Sequence, residues 1–169
     1  MRTLLRIIDA ISDYTGRAMH WFCAVLIMVL TLEVTLRYVF NAPTMWAHQL
    51  SMILSGAIIA LGWAYVHRHH GHVRVDVIYT RFAPRKRAII DVTGYLILFF
   101  PLLFALTFDA WKEMWYSWEA HEVMTETYWF PPVGPSRTIV FIGLSLLLLQ
   151  GVANFIRHLH LLVRSKPYD

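Results

Sequence analysis

A single cysteine, Cys23, excludes any disulfide within the chain. It lies inside an apolar run with no thiolate-stabilising neighbour, which leaves packing as its role. Polar sequence is also scarce. Apolar residues make up 57% of the 169 positions and the mean hydropathy is +0.49, whereas soluble domains average about 45–50% apolar. The excess is gathered into blocks, and at roughly 20 residues per membrane span four blocks with their connections use nearly the whole chain. No room is left for a separate soluble catalytic domain. The net charge of +4 and the pI near 9.4 do not mark a nucleic-acid binder, because the basic residues sit beside apolar segments and not in a solvated domain. A cleavable leader is not expected. Met1 to Gly16 carries Arg2, Arg6, Asp9 and Asp13, and the apolar stretch that follows is long and lacks a small-x-small site, so it reads as a retained span.

The pattern that remains predicts an all-α integral membrane protein, one domain over 1–169, with four transmembrane helices. In the first segment Leu4, Ile7, Ile8, Ile11 and Tyr14 oppose Arg2, Arg6, Asp9 and Asp13 at helical spacing. This is the pattern of a short amphipathic helix over about 2–16, lying at the membrane surface or extending the first span. Span one is expected from about 18 to 40, limited by Asn41-Ala42-Pro43, since proline disfavours helix at the residue before it. Span two is expected over about 46–66, with Gly56, Ala60 and Ala64 forming a small-residue stripe for close helix packing. Spans three and four are expected over about 88–108 and 138–156, with a kink at Pro101.

Orientation follows from the connections. The segment 67–87 holds Arg68, Arg74, Arg81, Arg85, Lys86 and Arg87 against Asp76 alone. The segment 109–137 is aromatic and acidic, with Lys112 and Arg137 against Asp109, Glu113, Glu119, Glu122 and Glu126. The Lys and Arg bias assigns the first segment to the cytoplasm and the second to the periplasm. Both termini then face the cytoplasm, in keeping with Arg2, Arg6 and Arg17 at one end and Arg157, Arg164 and Lys166 at the other.

Few residues point to chemistry. The run His67-Arg68-His69-His70-Gly71-His72 carries metal-ligand types, but a zinc site needs three or four ligands converging in space. This run is interleaved with arginine and has no acidic or cysteine cluster beside it. It reads as a basic interfacial loop, and no metal is expected. The competing enzyme-class reading is a haem b-bearing anchor of a respiratory oxidoreductase. Its histidines would be His20, His48, the loop cluster, His121, His158 and His160, none of them mid-span. Glu33 and Arg37 are spaced for an i,i+4 ion pair near the outer end of span one. Trp111, Trp115 and Trp118 share a helix face, as an outer interfacial belt or a platform for a periplasmic partner.

Two motifs carry a resemblance. The stretch Arg37-Tyr38-Val39-Phe40-Asn41-Ala42-Pro43-Thr44-Met45-Trp46 and the loop Gly71-His72-Val73-Arg74-Val75-Asp76-Val77, followed by the basic turn Pro84-Arg85-Lys86-Arg87, resemble the small membrane subunit (DctQ-type) of tripartite ATP-independent periplasmic (TRAP) transporters. The likeness in layout covers nearly all the chain. One departure stands after Trp46, where Ala47-His48-Gln49 replaces the acidic residues usual in that family. The resemblance implies an accessory subunit, not an enzyme, in the bacterial inner membrane. Its partners would be a large permease subunit (DctM-type), a periplasmic solute-binding protein and membrane phospholipid, with no nucleic acid. The solute would be one such as an organic acid. It implies no cofactor here, the coupling Na+ or H+ belonging to the large subunit. Its motif residues Arg37, Tyr38, Trp46, Gly71, His72, Arg74 and Asp76 are expected either at the partner or lipid interface or as structural residues that position helix ends.

Overall fold

The computed structural model describes residues 2–69, 84–125 and 130–164. Helix α1 runs over Arg2–Tyr38 and α2 over Trp46–Arg68. Helix α3, Pro84–Gly94, continues through a π-helical stretch, Tyr95–Phe99, into α4, Phe100–Glu119. Helix α5 spans Gly134–Arg164. Four helical stretches, Thr3–Tyr38, Trp46–Arg68, Ile89–Glu119 and Gly134–Leu162, are long and apolar enough to cross a membrane.

The chain alternates direction, so α2 and α5 lie antiparallel to α1 and α4. Helices α2 and α5 are the central pair, with α1 packed mainly on α2 and the α3–α4 rod packed on α5. Such a row leaves broad apolar faces outward. Ile27, Met28, Leu98, Leu102 and Phe104 all lie exposed there, as they must where lipid or another helix is the solvent. The small core has Leu103, Leu144 and Leu147 at its centre, flanked by Trp63, Phe99 and Leu148.

The first helix extends the first span and forms no separate surface element. It is unbroken from Arg2 to Tyr38, about 55 Å long, with no separate element over 2–16. Its orientation explains why. Leu4, Ile7, Ile11 and Tyr14 point outward, while Ser12 is buried and Asp9 and Asp13 turn towards α2 and α5. A polar face on a short helix meets either headgroups or a neighbouring helix, and the period alone does not distinguish them. Gly16 lies within this inward face, where a Cβ would collide with the Tyr65 ring.

The proline in span three acts through a change of helix type. Pro101 lacks an N–H, and in an uninterrupted α-helix its ring would meet the carbonyl of Ile97. The π-helical stretch Tyr95–Phe99 widens the backbone before it, and the helix then continues to Glu119. Both turns at the far end use left-handed residues. Asn41 has φ 51° and His121 φ 47°. After His121 the Glu122 N–H donates to the Ser117 carbonyl at 3.1 Å, a Schellman-type ending for α4.

The small-residue stripe is also shifted by one position. Ala57, Ala60 and Ala64 are buried, whereas Gly56 is exposed and a Cβ there would meet nothing within 4 Å. A strict interval of four drifts around the helix; alternating three and four follows the period of about 3.6 and stays on one face. The close approach comes from the other helix. A Cβ on Gly143 would lie 2.7 Å from the Ala60 carbonyl carbon and 3.0 Å from Ala60 Cβ. Gly143→Ala is therefore expected to force α2 and α5 apart and destabilise the purified protein by about 1–3 kcal/mol. Gly56→Ala is expected to be neutral or slightly stabilising, from helix propensity of up to about 1 kcal/mol. Thermal unfolding in detergent micelles measures both, and equal effects at the two positions would refute the assignment of the packing face.

Candidate functional site: two polar layers bounding an apolar slab

The charged and amide side chains of the bundle collect near its two ends. At the end carrying the termini, α1, α2 and α5 meet through one connected network. Gln150, fully buried on α5, accepts a hydrogen bond from Ser12 Oγ at 2.8 Å and donates through Nε2 to Asp9 Oδ1 at 3.1 Å. Arg157 pairs with the other Asp9 oxygen and donates to Asn154 Oδ1 at 3.1 Å. Asn154 Nδ2 donates to the His67 carbonyl at 3.3 Å, tying α5 to the last turn of α2. Arg68 donates to the Asp9 carbonyl at 2.6 Å and pairs with Asp13, which His69 Nε2 also approaches at 3.1 Å.

The α3 side of the same layer contains His67, Tyr95, Asp91 and His158. The Tyr95 hydroxyl lies 3.0 Å from His67 Nε2, and His158 Nδ1 lies 3.3 Å from Asp91 Oδ2. Phe99 stacks on His67 with ring centroids 5.0 Å apart. Tyr95 belongs to the π-helical stretch, so the irregularity before Pro101 also carries the hydroxyl that meets α2. Among the described residues no three His, Cys, Asp or Glu side chains form a group that could hold a metal ion.

At the opposite end, Glu33 is buried to 7% exposure and carries the i,i+4 pair expected with Arg37, whose Nε donates at 3.0 Å. Its second oxygen accepts from Thr44, both the hydroxyl and the backbone N–H, the latter at 3.2 Å. One carboxylate thus closes the turn between α1 and α2. Arg137 makes the matching link between α4 and α5, pairing with Glu113 at 2.7 Å and Glu122 at 3.0 Å. The Trp118 indole donates to Thr138 Oγ1 at 2.9 Å. Gln49 is buried and donates to the Met124 sulfur.

The spacing of the two layers matches a bilayer. At about 1.5 Å per residue, Asp13 and Glu33 on α1 stand roughly 30 Å apart, as do Arg137 and Arg157 on α5, and roughly 30 Å is the hydrocarbon thickness. Between them the described spans offer no ionisable side chain except Tyr14, Arg17, His20 and Cys23 on α1, His48 and Tyr65 on α2, Tyr95 on the π stretch and Asp109 and Lys112 on α4.

The expected interface residues fall in different places. Tyr38 is 76% exposed; Arg37 and Trp46 are each partly exposed at the same end. Trp111, Trp115 and Trp118 lie on α4 and are all exposed. Gly71, His72, Arg74 and Asp76 lie outside the described residues. Sequence reasoning missed the network around Gln150. Its signal was present in the spacing of Gln150, Asn154 and Arg157 along one face of α5, matched by Asp9, Ser12 and Asp13 on α1.

A family model described as the DctQ component of tripartite ATP-independent periplasmic transporters matches residues 26–161. The chain belongs to this family. As a DctQ component it is the small subunit of a TRAP transporter, a transport component and not an enzyme, and a multi-pass membrane protein. The match gives no support to a haem-bearing anchor. A comparison with curated proteins finds no match.

The terminal-end layer yields a direct test. Asp9→Ala leaves Arg157 without its carboxylate in a mostly buried position, a loss on the order of 3 kcal/mol. Asp9→Leu combined with Arg157→Leu is expected to recover most of it, because an apolar pair needs no mutual neutralisation. Denaturation in mixed micelles measures both. A single variant as stable as the parent would show that the network carries no stability.

Proposed function

We propose that this chain is the stationary small subunit of its transporter. It pairs with the large, ion-coupled membrane subunit and holds that subunit's fixed part in the bilayer. A periplasmic binding protein delivers the solute, one such as an organic acid, and the large subunit carries it inward with Na+ or H+. The observation that supports this most is the closure of polar groups upon one another near both ends. Charges so committed are not offered to a passing solute, and the outward faces are apolar. An immobile element of this kind suits a carrier in which one part moves against another.

In this reading the 67–87 connection and both termini are cytoplasmic, from the Lys and Arg bias, and the membrane is the bacterial inner membrane. Arg37, Tyr38 and Trp46 then sit at the periplasmic interface, anchoring helix ends to headgroups or to the large subunit. Gly71, His72, Arg74 and Asp76 do so on the cytoplasmic side. Trp111, Trp115 and Trp118 form an interfacial belt that also offers anchors for the periplasmic protein. Gly56, exposed and without Cβ, leaves room for a helix of the large subunit.

Replacing Arg74 or Asp76 is expected to reduce co-purification of the large subunit several-fold, and reconstituted uptake is expected to require this chain beside its partners. Unchanged complex and uptake in both variants would remove those residues from the interface. Uptake by this chain alone in vesicles would refute the stationary role.

A further inference from the structure

The side of α1 that faces α2 carries a cleft of about 340 Å³ lined by Arg6, Asp9, Asp13, Tyr14, Arg17 and Arg68. We infer that this cleft binds the phosphate of an anionic phospholipid headgroup at the terminal end of the bundle. All but Arg68 of these residues precede position 26, where the family match begins, so the cleft lies mostly on sequence outside that match. The inference rests on the multi-pass membrane reading and on no pairing with a large subunit.

Charge makes the case first. Asp9 is held by Arg157 and Arg68, and Asp13 by Arg68 and His69. These two carboxylates are therefore neutralised by the two inner arginines. Arg6 and Arg17 are exposed and make no ion pair among the described residues. They leave the cleft with an excess of two positive charges at its rim. Arginine fits phosphate because its planar fork places two N–H donors on two oxygens at once.

Position makes the case second. Arg6 and Arg17 lie three helical turns apart on one face, about 16 Å along the axis, with Arg68 at an intermediate level beside Asp9 and Asp13. The Asp13 level is one boundary of the apolar slab. Arg17 starts about one turn inside that boundary and can snorkel outward, while Arg6 starts about 10 Å outside it. Both reach the level at which lipid phosphates lie. Tyr14, 77% exposed, adds a hydroxyl donor and an apolar ring, and Ile7 and Ile11 beside it offer exposed apolar surface. Basic pockets between membrane helices bind anionic headgroups in this way.

The experiment uses the full chain purified in uncharged detergent and titrated with short-chain phosphatidylglycerol, phosphatidylcholine or inorganic phosphate, read by native mass spectrometry or calorimetry. Phosphatidylglycerol is expected to bind at least tenfold more tightly than phosphatidylcholine. Arg6→Ala with Arg17→Ala is expected to weaken it roughly 30-fold, with helicity unchanged because both residues are exposed. Arg6→Lys with Arg17→Lys keeps the charges and is expected to retain the preference between the two lipids. Equal binding of the two lipids, or undiminished binding in the double alanine variant, would overturn the site. Inorganic phosphate binding as tightly as phosphatidylglycerol would overturn the lipid as its source. A retained lipid preference beside failed co-purification of the large subunit would refute the pairing and leave this site standing.

Discussion

A charged group buried between helices is cut off from water, so it must find its partner within the protein. Asp9 shows what this constraint does. Its carboxylate meets Arg157 and Gln150 from α5 and Arg68 from α2, so a single side chain on α1 fixes the relation of three helices. Satisfying Asp9 requires that α1 continue straight past Gly16 and press its polar face on the bundle. The long first helix, the exposed apolar residues of its outer face and the close contact of Gly16 with Tyr65 all follow from that one requirement.

The opposite end answers the same constraint with shorter links. Glu33 closes the turn to α2 through Arg37 and Thr44, and Arg137 closes α4 on α5 through Glu113 and Glu122. Between the layers the helices are held by shape, with Gly143 against Ala60 at the centre. Lipid tails are as apolar as leucine, so burying Leu103 or Leu147 gives little drive for association; close backbone approach and end-to-end polar links must supply it. Polar links at both ends with apolar faces outward suit the proposed role of a subunit that supports motion elsewhere.

The same geometry explains how a basic chain remains compact. The inner arginines are consumed by Asp9, Asp13 and Asn154, while Arg6 and Arg17 are left at the rim. Neutralised charge builds structure, and residual charge is available for recognition. The π-helical stretch before Pro101 has a comparable double use, relieving the proline clash and presenting Tyr95 to His67.

Much of this was legible along the chain. The four spans, the turn at Asn41-Ala42-Pro43 and the Glu33–Arg37 pair follow from local rules: block length, proline sterics and the i,i+4 spacing. The resemblance to the family was likewise carried by short contiguous motifs around Arg37 to Trp46 and Gly71 to Val77. What the sequence did not decide was which way a polar face turns. Asp9, Ser12 and Asp13 have the same period whether they meet headgroups or helices, and Gly56 and Ala57 differ by one step of about 100° on α2. Only the tertiary structure supplies Arg68, Arg157 and Gln150 to one and Gly143 to the other, because a partner from a distant stretch of chain leaves no mark on local spacing.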